Sequence, residues 1–567
     1  MNISEKNNKF LFHVAQIFLY LMASNLLIAS TVFIFGGTVG KYMLPLSFAA
    51  AILLTGIFYG GKIGRLYILE IIVSIALFCM LAYFCGMIYD TSWDGNAYHK
   101  LAIGLLKNHW NPMNANSNKE IIKNLIQIKS KPDHFIWAEA YPKAAWIFGA
   151  SIYAITENIE SGKVYTILGI FCAFAFTKYY LEKIGKSKRF SISFALAAAL
   201  NPIAIAQLKT FYVDGYLYLI LYILVLSLIM NSNKISASLA ASAMIICGNI
   251  KFTGLFYGGV FCIAYYIWYC ANSFIDKEKN FFQICLKRFC LFAALGLITI
   301  FWAGAQSYGT NFINHDNLLY PLMGKNSIDI ITSNSPFPEA NHFKNLLISI
   351  YSRMDNFILN HNPKKVPILK IPFAIYDSEK THLNIIDNRI SGWGVWFSGF
   401  FTLSILAILI KLYSMQKNKE FFFLSMNIFV NLLLCFVIKE SWWARYSPQI
   451  YFIALIGFFI VLDAKKSALF ECIFLLIILA NSVFFLEPYP YILRTTPKTQ
   501  AVFNAAKKLD KVFIAPNIFE GTYFNLKDAG INYIIDESLN KAKSPLPHAN
   551  LNLYFHEGVG GFVLENK

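Results

Sequence analysis

The chain has 567 residues, of which 57% are hydrophobic, 17% aromatic and only 14% charged. An average soluble domain carries about 25% charged residues, so an ordinary soluble protein is excluded. The net charge of +17 comes from short Lys/Arg clusters between apolar runs, not from one basic patch. That pattern excludes a nucleic-acid surface and matches membrane orientation signals.

Lys6 and Lys9 precede an apolar run from Phe10 to Phe35. It is too long for a cleavable signal segment, so it is predicted to remain as an anchor. About 13 apolar spans follow hydropathy, centred near residues 22, 51, 78, 172, 198, 223, 242, 262, 297, 402, 429, 455 and 477. One set of connecting loops is short and basic, including Lys62/Arg65, Lys183/Lys186/Lys188/Arg189, Lys277/Lys279/Lys287/Arg288 and Lys411/Lys417/Lys419. The positive-inside rule puts that set in the cytoplasm. The long segments, about 90–160, 305–391 and 487–567, then fall on the other side. The expected fold class is an all-α polytopic membrane protein with a small C-terminal α/β outer domain.

Six regions follow in chain order. Residues 1–89 hold the first spans and 90–163 the first outer loop. A transmembrane core covers 164–304, a long outer loop 305–391, further spans 392–486, and the outer tail 487–567. Within the first outer loop, AYHKLAIGLLKNHW and NKEIIKNLIQIKS have apolar residues at helical spacing. They predict short amphipathic helices lying on the membrane. YPKAAWIFGASIYAI is apolar but short, and is taken as interfacial or partly inserted, because counting it as a span breaks the charge alternation. In the tail, TQAVFNAAKKL predicts a helix, KVFIAPN and INYIIDE predict strands, and LNLYFHEGVGGFVLE predicts a hairpin. Each of the ten cysteines lies in or beside an apolar run or in a cytoplasmic segment, so the outer loops hold no disulfide.

Asp90 and Asp94 stand in IYDTSWDGNAYH, directly after a span. One helical turn apart, they would share a face if the segment is helical. A carboxylate at the bilayer edge can act as general base on an acceptor hydroxyl, with partial burial raising its pKa into a useful range. The competing reading is a solvated loop acid or a helix cap. Tyr98 and His99 follow. His99 can bond a phosphate or orient Asp94. With Asp90 or Asp94 it can also ligate a divalent metal, although no cluster of histidines accompanies it. Lys143, Lys209, Lys251, Lys439 and Arg445 all fall at outer ends of spans, where the charge rule disfavours cations. A phosphate to be bound would account for them; snorkelling to lipid headgroups is the plainer account.

The order Asp94-x-x-x-Tyr98-His99 after a span resembles the first outer loop of the GT-C glycosyltransferases. These are multi-span enzymes that take a sugar from a polyprenyl- or dolichyl-phosphate carrier. YPKAAW, with Lys143, resembles the motif closing that loop. LNPIAIAQLKTFYVDGYLYL resembles the family's Pro…Asp pattern across an outer turn and puts Asp214 at the membrane face. SYGTNFINHDNLLYPLMG, with Tyr320, resembles a later loop motif, although Asn317-Leu318-Leu319 replaces the usual Gly-Asn-Pro. SWWARYSPQI, with Arg445 and Tyr446, resembles the late Arg-Tyr motif before an inward-running span. The likeness spans most of residues 70–465.

The resemblance implies the GT-C fold, an inverting transfer and an acidic base, Asp94, with Asp90 orienting the acceptor or raising the Asp94 pKa. It also implies donor-phosphate or substrate contacts from Tyr98, His99, Lys143, Lys209, Asp214, Lys251, Tyr320, Arg445 and Tyr446. The donor would be an undecaprenyl-phosphate-linked sugar and the acceptor a surface glycan or lipid-linked glycan, at the periplasmic face of a bacterial inner membrane. No metal is required, since Lys and Arg can neutralise one phosphate; a divalent metal stays open as an alternative. Two rivals remain. One is an O-antigen-type polymerase or ligase acting on lipid-diphosphate oligosaccharides. The other is a lipid-sugar transporter, disfavoured by few intramembrane charges and long outer segments.

Overall fold

The computed structural model describes residues 3–59, 64–114, 134–230, 234–325, 327–328, 335–337, 341–356, 366–382, 386–414, 419–464, 468–484, 488–509, 512–514, 519–536, 551–554 and 561–564. In chain order the helices are α1 (Ile3–Ile34), α2 (Met43–Ile57), α3 (Arg65–Gly86), α4 (Lys100–Lys107), α5 (Phe135–Ala140), α6 (Ala144–Thr156), α7 (Tyr165–Lys183), α8 (Lys188–Ala199), α9 (Pro202–Ala206), α10 (Asp214–Met230), α11 (Lys234–Gly248), α12 (Phe252–Ile275) and α13 (Phe281–Leu297). They continue with α14 (Thr310–His315), α15 (His342–Ile350), α16 (Asp377–Lys380), α17 (Phe397–Ser414), α18 (Lys419–Val437), α19 (Tyr451–Ala464), α20 (Ala468–Val483), α21 (Pro488–Ala506) and α22 (Thr522–Asp528). A wide π-type turn, Gly95–His99, leads into α4, and a tight 3-10 stretch, Ile159–Val164, leads into α7.

The molecule is mostly helical, and among the described residues six helices are long and apolar enough to cross a membrane: Lys9–Ile34, Arg65–Gly86, Ile159–Lys183, Phe252–Ile275, Phe281–Trp302 and Phe397–Ser414. Six of the expected span centres fall on these. The other seven fall on α2, α8, α10, α11, α18, α19 and α20, shorter apolar helices or helices with shorter apolar stretches, against the roughly 20 residues a full crossing takes.

α1 lies at the centre. Of its most apolar window 72% is buried, against 11% for Phe281–Trp302, which forms the rim. Several polar groups on α1 are paired inside the bundle, as burial favours, while Gln16 Oε1 has no partner among the described residues. Asn25 Nδ2 donates to Ser47 Oγ and to Ser151 Oγ, both at 3.1 Å, tying α1 to α2 and α6. His13 Nδ1 lies 3.0 Å from Glu70 Oε1 on α3. Helix starts follow local chemistry: Ser187 caps α8 through Phe190 N, and Asn201, followed by Pro202, caps α9 through Ile203 N at 2.8 Å.

Two expectations are corrected here. AYHKLAIGLLKNHW is no surface amphipathic helix: Leu101 to Leu106 are buried all round, and α4 packs between α6 and the tail. YPKAAWIFGASIYAI, taken as interfacial or partly inserted, is not an exposed surface helix either, since α6 is covered by protein on every side from Ala144 to Ala154. It meets the 3-10 stretch so closely that a Cβ on Gly162 would lie 3.0 Å from the Gly149 carbonyl oxygen. NKEIIKNLIQIKS lies outside the described residues.

The tail has the expected elements. β1 (Val512–Ile514) pairs in parallel with β2 (Tyr533–Ile535), and β3 (Leu551–Tyr554) pairs antiparallel with β4 (Gly561–Leu564). Its placement was not legible from sequence: it clamps the first polar loop. Gly521 N donates to Asn96 O at 2.9 Å, Phe519 meets Trp93 edge-on at 4.7 Å, and Phe524 fills the space left by Gly104.

Candidate functional site

The turn after α3 is built by Asp90. Its Oδ1 accepts Ser92 N at 2.7 Å and its Oδ2 accepts Phe211 N at 2.8 Å, across to the loop before α10. Asn96 Nδ2 donates back to the Asp90 and Ser92 carbonyls. Gly95 is needed there, because a Cβ would lie 2.0 Å from Asp90 Oδ2. The segment 90–92 is not helical, so the expected shared face of Asp90 and Asp94 is corrected. Asp90 is fully buried, both oxygens are committed to backbone N–H groups, and burial pushes its carboxyl above the usual range.

Asp94, at the start of the π turn, points instead at Arg445, in the loop between α18 and α19. Arg445 is the hub. Its Nη2 donates to Asp94 Oδ2 at 2.6 Å, its Nε to Asp214 Oδ2 at 2.7 Å, and its Nη1 to Asp387 Oδ2 at 2.8 Å. The guanidinium lies 4.3 Å from the Tyr212 ring centre and 5.6 Å from that of Trp443. Asp214 is completed by Lys251 Nζ at 2.8 Å and Gln207 Nε2 at 3.1 Å. Asp387 Oδ1 accepts Trp443 Nε1 at 2.9 Å. Lys251 lies 4.1 Å from the Tyr446 ring centre, and Tyr446 meets Trp443 at 5.2 Å. Three carboxylates thus meet two directly bonded cations, and Arg389, 4.7 Å from the Trp443 ring centre, adds a third positive charge beside Asp387.

Exposure separates the three acids. The Asp214 side chain is sealed, whereas Asp94 and Asp387 keep 19% and 17% exposure. Asp94 Oδ2 also accepts Tyr98 OH at 3.1 Å, and Oδ1 receives none of these bonds. Burial alone would raise the Asp94 carboxyl, but Arg445 outweighs it and holds the group below the usual range. The sequence expectation of a raised pKa through Asp90 is thus corrected. For Asp387 burial prevails over Arg445, and the carboxyl sits above the usual range.

His99 is fixed as a neutral donor. Trp146 Nε1 donates to its Nδ1 at 2.7 Å, so the ring proton is on Nε2. Burial pulls its pKa down to about 3, against the pull of Asp94 and Asp214. Nε2 is buried without a partner among the described residues.

The remaining expected residues lie elsewhere. Lys143 is buried, donating to the Glu139 and Tyr141 carbonyls at 2.7 and 2.8 Å, between Trp110 and Trp146. Burial lowers its ammonium to about 7. It braces the loop before α6 and does not join the Arg445 cluster. Lys209 has Lys163 and Cys85 as its electrostatic neighbours. Tyr320 stacks on His315 at 3.6 Å, and its carbonyl accepts Asn311 Nδ2 at 3.0 Å. Lys439 is exposed. No group of three His, Cys, Asp or Glu with metal-holding geometry occurs among the described residues, and Arg445 fills the space between the three carboxylates.

Asp387 and Gln207 were missed. Asp387 had a usable signal: in IIDNRISGWG it stands at an apolar boundary, the criterion that singled out Asp94. Gln207 had none. Compared with known protein families and with characterised proteins, the chain matches no family model and no protein at a significant level.

Proposed function

We propose that the chain is a membrane glycosyltransferase that moves a sugar from a polyprenyl-phosphate carrier to a glycan or lipid-linked acceptor on the periplasmic face, with inversion. In this reading all thirteen apolar segments are membrane-embedded, the N-terminus is cytoplasmic and the tail periplasmic. The observation that carries it is Asp94: a partly exposed carboxylate with one oxygen on Arg445 and Tyr98 and the other unengaged among the described residues. The unengaged Oδ1 takes the proton of the acceptor hydroxyl while the hydroxyl's own oxygen attacks the anomeric carbon. The bond to the carrier phosphate breaks, and the lipid phosphate departs with its electron pair.

Arg445 and Lys251 supply the positive charge for that departure. Both are held by carboxylates, so an incoming phosphate must compete with Asp94 for the guanidinium. Displacement also removes the partner that keeps the Asp94 carboxyl low, so donor binding would make the base more basic. Neutral His99 offers its Nε2–H to a phosphate or sugar oxygen. Asp387 binds an acceptor hydroxyl beside Asp94.

The test uses purified protein in nanodiscs with undecaprenyl-phosphate sugars, reading release of free lipid phosphate. Release that needs Asp94 supports the reading. A second reading, transfer from a lipid-diphosphate oligosaccharide, is favoured by one observation: the hub is a late-loop Arg, and Lys143 stands apart. Turnover of the diphosphate donor, with none of the monophosphate, would select it.

A further inference from the structure

Away from Arg445, on the far side of the Asp90 turn, two cavities adjoin. The first is an apolar groove of 640 Å³ between α2, α3 and α6, walled by Leu44, Phe48, Phe78, Cys79, Ile152 and Ile155. The second is a polar cavity of 340 Å³ between the first polar loop and the tail, walled by Tyr89, Asn158, Gln500, Phe503, Asn504 and Lys507. They share Asn158 and Gln500 as wall residues, which sets the two side by side as one candidate cleft. Both volumes lie within the roughly 300–1,000 Å³ of ligand sites.

The two halves differ in chemistry. The groove lies along α3, a helix long and apolar enough to cross the membrane, and Cys79, Tyr83 and Ile155 line it while remaining exposed. Lipid chains are what a membrane presents to such a surface. In the polar half some groups are already committed. Asn158 bonds Gly86 O and Glu160 N, Asn525 bonds Lys100 and Glu160, and Asp528 bonds Tyr153 OH and Ile159 N. Gln500, Asn504 and Lys507 instead stand exposed at i, i+4 and i+7 spacing along α21 and its continuation. Two acids, Glu157 and Asp528, line the same cavity, and Lys507 is the one cation among its described lining residues. Glu157 is already paired with Lys41 and Lys107. Amides beside an aromatic ring and paired acids suit hydroxyl groups, which donate and accept, better than a phosphodiester.

We propose that this cleft binds a membrane glycolipid, its chain in the groove between α2, α3 and α6 and its uncharged sugar headgroup against Gln500 and Asn504. The site is separate from the Arg445 cluster and does not depend on the reaction proposed there.

The test uses the full chain in phosphatidylcholine nanodiscs doped equally with monoglucosyl diacylglycerol and phosphatidylglycerol. Lipid retained after purification is quantified by mass spectrometry. The expected result is retention of the glucosyl lipid about tenfold above phosphatidylglycerol, which corresponds to about 1.4 kcal/mol. The preference should vanish in the exposed double variant Gln500→Ala/Asn504→Ala and in Cys79→Trp, which blocks the groove from its open side. Equal retention of both lipids, unchanged by either variant, means annular lipid only and overturns the site. Preference for phosphatidylglycerol, or a preference lost in Cys79→Trp but kept in the double variant, overturns the headgroup assignment and the proposal with it.

Discussion

Two ionic clusters flank the turn from Asp90 to Lys100, and they are built to opposite ends. On one side Glu160 accepts Lys100 Nζ at 2.8 Å, Asn525 Nδ2 at 3.0 Å, Asp90 N at 3.1 Å and Lys163 Nζ. Glu160, Lys100 and Lys163 are wholly buried, and both Glu160 oxygens are taken. On the other side Arg445 gathers three carboxylates, two of which stay partly exposed, beside a histidine N–H with no partner among the described residues. A saturated, sealed cluster holds parts together; an unsaturated, accessible one has capacity left for a ligand. Charge count alone would not separate them, whereas exposure and spare hydrogen-bonding capacity do.

The largest expected effect breaks the sealed side. Glu160→Ala leaves two buried ammonium groups without their anion and should cost about 3–5 kcal/mol. Thermal unfolding in detergent, followed by intrinsic fluorescence, should show a sharply lowered midpoint and a protease-sensitive tail. A variant as stable as the parent would remove the contrast between the clusters.

Next comes Asp94→Asn, expected to lower sugar transfer by about 10²–10⁴-fold, the range for loss of a general base. Its unfolding midpoint should stay near the parent value, because Arg445 keeps Asp214 and Asp387. Loss of activity that merely tracks loss of fold would place Asp94 with Glu160 as a structural acid.

A smaller effect is expected for Arg445→Gln on the pH profile. Arg445 holds the Asp94 carboxyl down, so under the proposed transfer the acid limb of kcat/KM in the parent should lie below the ordinary carboxylate range. Removing the cation raises that pKa and moves the limb to higher pH, together with a lower rate. An unmoved limb would assign it to another group.

The smallest effect concerns the clamp itself. Burial raises the Asp528 carboxyl to about 7, from the ordinary value of 3.8. The folded state therefore binds more protons than the unfolded state between those values, and stability falls as pH rises through that window. Protection of the tail from limited proteolysis should weaken from pH 5 to pH 7 in the parent, and the trend should flatten in Asp528→Asn.

Much of the helical framework was legible in the sequence. The span centres at 22, 78, 172, 262, 297 and 402 fall on the six long apolar helices found among the described residues, because a long apolar segment is specified by its own composition. The tail elements were legible for a similar reason, since their periodicity and turn residues are local. α4 and α6 were misread because their surroundings are protein, not membrane surface: Leu101 to Leu106 and Ala144 to Ala154 are covered by neighbours that no local pattern encodes.

The candidate site divides along the same line. Asp94, His99, Lys251 and Arg445 announced themselves as polar groups at apolar boundaries, a property of the chain alone, whereas Asp214, Tyr98 and Tyr446 were singled out by the family resemblance. Which of them meet was decided in three dimensions. Asp90, four residues from Asp94, turns away to hold Phe211 N, whereas Asp387, 58 positions before Arg445 in the chain, joins it. Lys143 spends its ammonium on two carbonyls. The physical reason is range. Hydropathy and capping act over a few residues and can be read in order, but an ion pair is set by which loops the packed helices bring together.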